Sequence, residues 1–219
     1  MGSTFEIQLR RDDGQQIGII DRFSLLQYAL LTNDISACRI DLPGDFDKTL
    51  LAADRRLDIW RQPDGGSLSR EGIWFIRKIK DSTDANGERN IKVTGYSPNY
   101  LLGSRIVAYA AASAQADKTA AFDNMMKAVV SQNLSTGATN TARTISTTYL
   151  SIAPNYTAAP SDNKAFAWRN VLAVLKDIAD ASRGAGTKLY FDMVPVDSTK
   201  FEFRTYTGQP GLDHTFPSG

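Results

Sequence analysis

Between two short runs of alternating apolar residues the chain carries four aspartates, Asp45, Asp47, Asp54 and Asp58. Carboxylates at that density are what a hard cation or an acid/base mechanism uses. A calcium loop sets oxygen ligands at alternate positions, turns sharply on a glycine and ends in a bidentate glutamate. Asp45-Phe46-Asp47 is followed by Lys48, Thr49 and Leu50, so the template fails after two positions. Paired-carboxylate catalysis needs one carboxyl desolvated in a cleft, and no pattern places Asp54 or Asp58 in one. This leaves a solvated connection in which Asp45 or Asp47 caps a turn or short helix.

Counting excludes other chemistries. One histidine, His214, and one cysteine, Cys38, cannot assemble the usual nitrogen/sulfur zinc site. Asp213 precedes His214 directly, but a serine-type triad needs a nucleophile elbow such as G-x-S-x-G, which is absent, and sequence neighbours rarely aim at one atom. Gly65-Gly66 and Gly184-Ala185-Gly186 lack the lysine of a phosphate loop and the spacing of a dinucleotide loop, and read as turns. Trp60, Trp74, Tyr96 and Tyr100, with Arg61, Arg77 and Lys78 nearby, would suit single strands or sugars. At these alternating spacings they read first as core and rim residues. No enzymatic activity and no cofactor are expected.

The elements that must position these residues fall into two textures within 219 residues, enough for one large domain or two small ones. From Thr4 to about Ala110 the period is two: Phe5, Ile7 and Leu9 alternate with polar residues, and QIGIIDR, SLLQYALL, SACRIDL, LDIWRQ, GIWFIRKIK and RNIKVTGY follow as strands. Cys38 reads as a small core hydrophobe beside Ile40 and Leu42, with Arg39 on the other face. Asn86-Gly87 suits a type I′ hairpin. Ser97 is expected to cap a short helix with Pro98 in its first turn.

Past Ala110 the period becomes helical. Asp117 is expected to cap a helix bearing Phe122, Met125, Met126 and Val129 on one stripe. A second helix is expected after Asn163, with Trp168, Leu172, Leu175 and Ala179 inside and Gly184 or Gly186 as the stop. KLYFDMV and KFEFRTY read as strands, and 135–160 as a long exposed excursion with one strand, RTISTTYLSI. With 25 Lys+Arg against 24 Asp+Glu, nothing points to tight nucleic-acid binding. The N-terminus has no basic-then-apolar pattern, so no Sec-type signal is expected, and no apolar run reaches the roughly 20 residues that span a bilayer.

The succession SLLQYALLTNDISACRIDLP, RRLDIWRQPDGGSLSREGIWFIRKI, ERNIKVTGYSPNYLLGSRIVAY, WRNVLAVLKDIADASRGAGTKLYFDMV and FEFRTYTGQPGLDHT resembles the tail-hub family of siphophage-like tails, related in fold to the hubs of contractile tails. Its motifs are a strand ending in Leu-Pro, an I-x-R/K strand, the element formed by Gly95, Tyr96, Leu102 and Arg105, and a late turn with Gly208, Gly211 and Asp213. The resemblance implies an α+β fold: a β-barrel-like tube domain over 1–110, completed by 208–219, with an inserted α+β domain over 111–207.

It also implies a homotrimeric ring at the distal end of the virion tail, joining the distal tail protein or tail tube above to a tail fibre, spike or tape measure protein below. The genome would pass through its channel without specific binding. Family hubs usually carry two tube domains per subunit, and one is evident here. Arg39, Gly95, Leu102, Arg105 and Asp213 are the structural and assembly candidates, Arg105 by closing a short helix with several bonds to backbone carbonyls. The resemblance makes the aspartate-rich stretch a connection between barrel strands. The other binding function weighed is a carbohydrate-binding tail-tip adhesin with Trp60, Trp74 and Tyr100 as the sugar platform.

Overall fold

The computed structural model describes residues 3–83, 87–109, 115–138 and 140–208. Period-two alternation forms seven strands: β1 (Thr4–Arg10), β2 (Gln16–Ile20), β3 (Leu25–Ala29), β4 (Ala37–Pro43), β5 (Arg56–Gln62), β6 (Ser69–Thr83) and β7 (Arg89–Tyr96). They build one antiparallel sheet in the order β2-β1-β5-β6-β7-β4-β3. Register places apolar residues opposite one another, Ile7 against Ile59 and Leu9 against Leu57, then Ile40 against Val93 and Leu42 against Ile91. All of these side chains enter one buried cluster on the concave face, with Cys38, Trp74 and Ile76. Burial pushes the Cys38 thiol up to about 12, so it acts as a hydrophobe.

The expected barrel is present as curvature only. The end strands β2 and β3 do not pair with each other among the described residues, so the sheet is curled and open. Leu50 and Leu51, from a 3₁₀ turn over Lys48–Leu50, plug the concave face. Gly95 is required by close approach: a Cβ there would lie 2.9 Å from the Trp74 Cβ and 3.1 Å from the Cys38 sulfur.

The second unit contains α1 (Tyr100–Gly103), β8 (Ala116–Ala121), α2 (Phe122–Leu134), β9 (Leu150–Ile152), β10 (Ser161–Phe166), α3 (Val171–Gly184), β11 (Leu189–Pro195) and β12 (Phe201–Thr207). α2 and α3 pack together over the sheet β11-β12-β9, in which β9 runs parallel to β12. Met125, Met126 and Val129 of α2, Leu175 and Ile178 of α3, and Phe191 and Phe203 of the sheet share one core, which Leu102 and Val107 already join. The fold is mixed α+β and mostly strand.

Several local expectations are corrected. Asp117 lies in β8, which pairs with β10, and α2 begins only at Phe122. Asn163 lies in β10; the cap of α3 is Asn170, whose side chain accepts from the Ala173 N–H. Trp168 therefore sits before the helix, 80% exposed with a positive φ of 54°. The Ser97 hydroxyl accepts the Ser36 N–H at 3.0 Å and caps nothing, while Tyr100 N–H bonds the Ser97 carbonyl. Of RTISTTYLSI only Leu150–Ile152 is strand. The β6–β7 hairpin forms as expected, but its Asn86 lies outside the described residues, as do Gly211, Asp213 and His214.

Candidate functional site: a buried carboxylate and the cleft beside it

Because Leu57 and Ile59 of β5 face the core, Arg56, Asp58 and Trp60 must face the other way. That convex face is not solvent. The β11–β12 hairpin lies on it: the Arg56 guanidinium donates to the carbonyls of Ser198 (2.8 Å), Thr199 (3.1 Å) and Asp12, and stacks over Phe201 and Phe75. Gly14, at φ +90°, lets the chain approach so closely that a Cβ would lie 2.1 Å from the Ser198 carbonyl oxygen.

Asp58 is 0% exposed. It thus belongs to a strand under a second layer and not to the solvated connection expected for it. Arg10 Nε lies 3.0 Å from Asp58 Oδ2, yet neither carboxylate oxygen accepts an aligned hydrogen bond from the described residues. Burial raises the Asp58 pKa, and the charges of Arg10, Arg70 and Arg56 oppose it. The other three aspartates behave as a connection. Asp47 caps the 3₁₀ turn through the Thr49 N–H at 2.9 Å, Asp45 pairs in the open with Arg22, and Asp54 pairs with Arg77.

Beside this cluster a cleft of about 410 Å³ opens between β5–β6 and β11, lined among others by Trp60, Arg70, Ile73, Trp74, Met193 and Pro195. Arg70 lies over the Trp60 ring at 4.9 Å. Trp74 is 1% exposed, so its faces are closed. Tyr100 is stacked on Tyr96 at 5.8 Å with Arg77 over it at 4.6 Å. The three rings of the expected sugar platform are therefore dispersed, and none presents two open faces.

Two asparagines missed by pattern reading join the units. Asn33, at φ +57°, accepts the Phe191 N–H at 2.8 Å and donates to the Leu189 carbonyl at 3.2 Å, so its amide stands in for a neighbouring strand along β11. Asn99 accepts the Met193 N–H at 3.0 Å and donates to the Asp34 carbonyl at 2.9 Å. The signal for Asn33 was its place in a turn that tolerates the left-handed region.

The remaining candidates are dispersed too. Arg39 forms a two-pronged pair with Asp41, at 2.8 and 2.6 Å. Leu102 is buried in the second core. Arg105 offers its carbonyl to the Val171 N–H, but its half-buried side chain donates to no carbonyl among the described residues, so the expected helix closure is absent. Among the described residues no group of three or more His, Cys, Asp or Glu side chains is placed to hold a metal ion, and no helix is long and apolar enough to cross a membrane.

A curled antiparallel sheet carrying a helical α+β unit is a phage-tail type of fold: the structure superposes on a tail protein from Neisseria meningitidis with a TM-score of 0.51 at 10% identity, over 91% of this chain and 50% of that one. An Escherichia coli component of the type VI secretion system, described as structurally similar to the T4 bacteriophage tail proteins gp27 and gp5, aligns over 97% of this chain and 49% of its own at 9% identity, with a TM-score of 0.47. The chain spans about half the length of these solved structures. Residues 6–207 match the family described as Siphovirus ReqiPepy6 Gp37-like protein, and the chain belongs to that family. No curated protein matches it.

Proposed function

We propose that the chain is a structural protein of the phage tail and, more narrowly, a hub subunit at the distal tail tip. The reading is carried by one observation: a curled seven-stranded sheet bears an α+β unit clasped to its convex face, in a chain whose family is a siphovirus one. In this proposal 1–110, completed by 208–219, is the tube domain and 111–207 the inserted domain. Three copies form a ring that continues the tail tube, meets the distal tail protein or tail tube above, and carries a fibre, spike or tape measure protein below. Arg39, Arg105 and Asp213 are proposed subunit or neighbour contacts, with Gly95 and Leu102 holding the fold behind them. Imaging the purified chain, and particles containing it, tests this. Three-fold rings coaxial with the tail are expected; a monomer attached to the side of the particle would overturn it.

A further inference from the structure

We propose that Trp168, Ile106 and Tyr109 are the anchor of a docking site for an acidic, apolar-centred polypeptide segment of a neighbouring protein. The starting point is an outlier. Trp168 holds a φ of +54°, which costs a bulky residue free energy, and its ring is 80% exposed, so no burial of that ring offsets the cost. The backbone on either side is fixed: the Val107 N–H bonds the Arg169 carbonyl and the Val171 N–H the Arg105 carbonyl, each at 2.8 Å, and Ile106 bridges to Asn170. Because Val107 is buried, the adjacent Ile106 turns outward and is 54% exposed. The Tyr109 ring braces Trp168 edge-on, with centroids 5.7 Å apart and planes at 86°. A large indole is thus presented on a rigid support, and an anchor held in place before binding loses little freedom when it is covered.

Charge selects the occupant. Arg105 precedes Ile106 and Arg169 follows Trp168, while Arg143 donates to the Ile106 carbonyl and, at 3.1 Å, to Asn133 Oδ1. Of these three only Arg169 meets a carboxylate among the described residues, that of Asp177. The apolar anchor is therefore bordered by two guanidiniums without a counter-charge, in a chain whose net charge is only +1. Trp, Tyr and Arg are the side chains that dominate protein–protein hot spots, and unneutralised cations at the border are complemented by carboxylates on the partner. A nucleic-acid strand needs cations spaced along a track to follow its phosphates, and gains no stacking from Ile106. None of this depends on three-fold assembly.

The test begins with the free chain. Iodide should quench Trp168, the exposed one of the three tryptophans, more strongly than caesium does at equal ionic strength, each relative to its action on N-acetyltryptophanamide. A displayed library of random dodecapeptides is then selected on the full chain, with Trp168→Gly in parallel. Glycine adopts the left-handed backbone freely, so this variant should melt no lower than wild type while lacking the anchor. Enriched peptides should carry Asp or Glu on either side of aliphatic or aromatic residues, shift the Trp168 emission saturably to the blue, and bind Trp168→Gly about thirtyfold more weakly, as the loss of a hot spot does. Arg105→Glu should weaken binding about tenfold at low salt and less at high salt. An indole that neither ion quenches, or that caesium quenches as well as iodide, would overturn the proposal. So would a basic or uncharged consensus, equal enrichment on Trp168→Gly, no enrichment, unchanged affinity in Arg105→Glu, a Trp168→Gly variant melting well below wild type, or binding of a thymidine dodecanucleotide or chitohexaose in place of peptide.

Discussion

The ring of Phe5 in β1 meets the ring of Tyr28 in β3 edge-on, centroids 6.4 Å apart and planes at 74°, although four strands separate β1 from β3 in the sheet order. Only a sheet coiled almost onto itself brings them together. Tyr28 carries the contact on to Trp74, 5.5 Å away, so side chains close a seam that no backbone ladder closes among the described residues. This gives Tyr28 a role that its half-exposed strand position conceals.

Tyr28→Ala removes both aromatic contacts and opens the concave core at its edge. A loss of about 2–3 kcal/mol is expected in denaturant unfolding, below the 3–5 typical of a fully buried aromatic. Tyr149→Ala, at a ring 40% exposed, is the control and should stay within about 0.5 kcal/mol. Equal effects would mean that the seam contributes nothing.

The Asp58 cluster gives an asymmetric expectation. Arg56 donates to three carbonyls, and Arg10 to the Gly14 carbonyl and the Gln8 side chain, whereas the Asp58 oxygens accept no aligned bond among the described residues. Asp58→Asn therefore keeps the shape, removes a desolvated charge, and should leave the protein at pH 7 as stable as before or more so. Arg10→Ala strips the carboxylate of its nearest counter-charge and should cost about 3 kcal/mol or more. Arg105→Ala, whose side chain makes no hydrogen bond among the described residues, should lie within about 0.5 kcal/mol.

The pH dependence follows from the same sign. A carboxyl whose pKa is raised on folding binds its proton more tightly in the folded state. Its contribution is thus fully present below the unfolded value of about 4 and is lost as pH rises through the folded pKa. Asp81 runs the other way: Arg89 and Lys48 hold it well below the usual range, so its contribution is present above about pH 4 and lost as pH falls through the folded pKa. Thermal melts of wild type and Asp58→Asn should converge near pH 4 and separate towards neutrality. Separation at acid pH only would reverse the assignment.

Asn33 and Asn99 satisfy the free edge of β11, which otherwise exposes unpaired N–H groups to any passing strand. Replacing both by Ala is expected to raise amide exchange at Phe191 and Met193 strongly while leaving Ile40 and Val93 protected. Unchanged exchange at Phe191 would show that the clasp is incidental.

Pattern alone was sufficient for the sheet because each core strand alternates strongly, as Cys38, Ile40 and Leu42 do, and for α2 because Phe122, Met125, Met126 and Val129 form a single stripe. It fails at β8 and β10, whose paired residues such as Thr119 and Asn163 are polar, so no apolar period marks them as strands. Asp117 and Asn163 then imitate caps. Alternation within LDIWRQ already put Asp58 on the face of Trp60, opposite Leu57 and Ile59. What it cannot show is the cover: the bond from Arg56 to Ser198 spans 142 residues, and no local period encodes a contact of that range.

A ring that conducts DNA must not retain it, which bears on where cations stand in the proposed hub. Each phosphate neutralised by a lumenal Lys or Arg adds a salt-dependent grip, and six to ten such contacts change affinity by about 10³–10⁵ between low and moderate salt. With a net charge of +1 the chain has no excess of cations to spend this way. Arg61 is drawn towards Glu71 at 3.6 Å, and Arg77 towards Asp54, so both are partly neutralised within the subunit. In the assembled ring Arg61, Lys78 and Lys92 are therefore expected at subunit contacts or on the outer surface, leaving the bore near neutral or mildly acidic. Electrophoretic and anisotropy titrations of the full chain with duplex DNA should show no tight complex at moderate salt. Tight binding with a steep salt slope, or a ring map with those three side chains lining the bore, would exclude the conduit and favour a nucleic-acid-binding role.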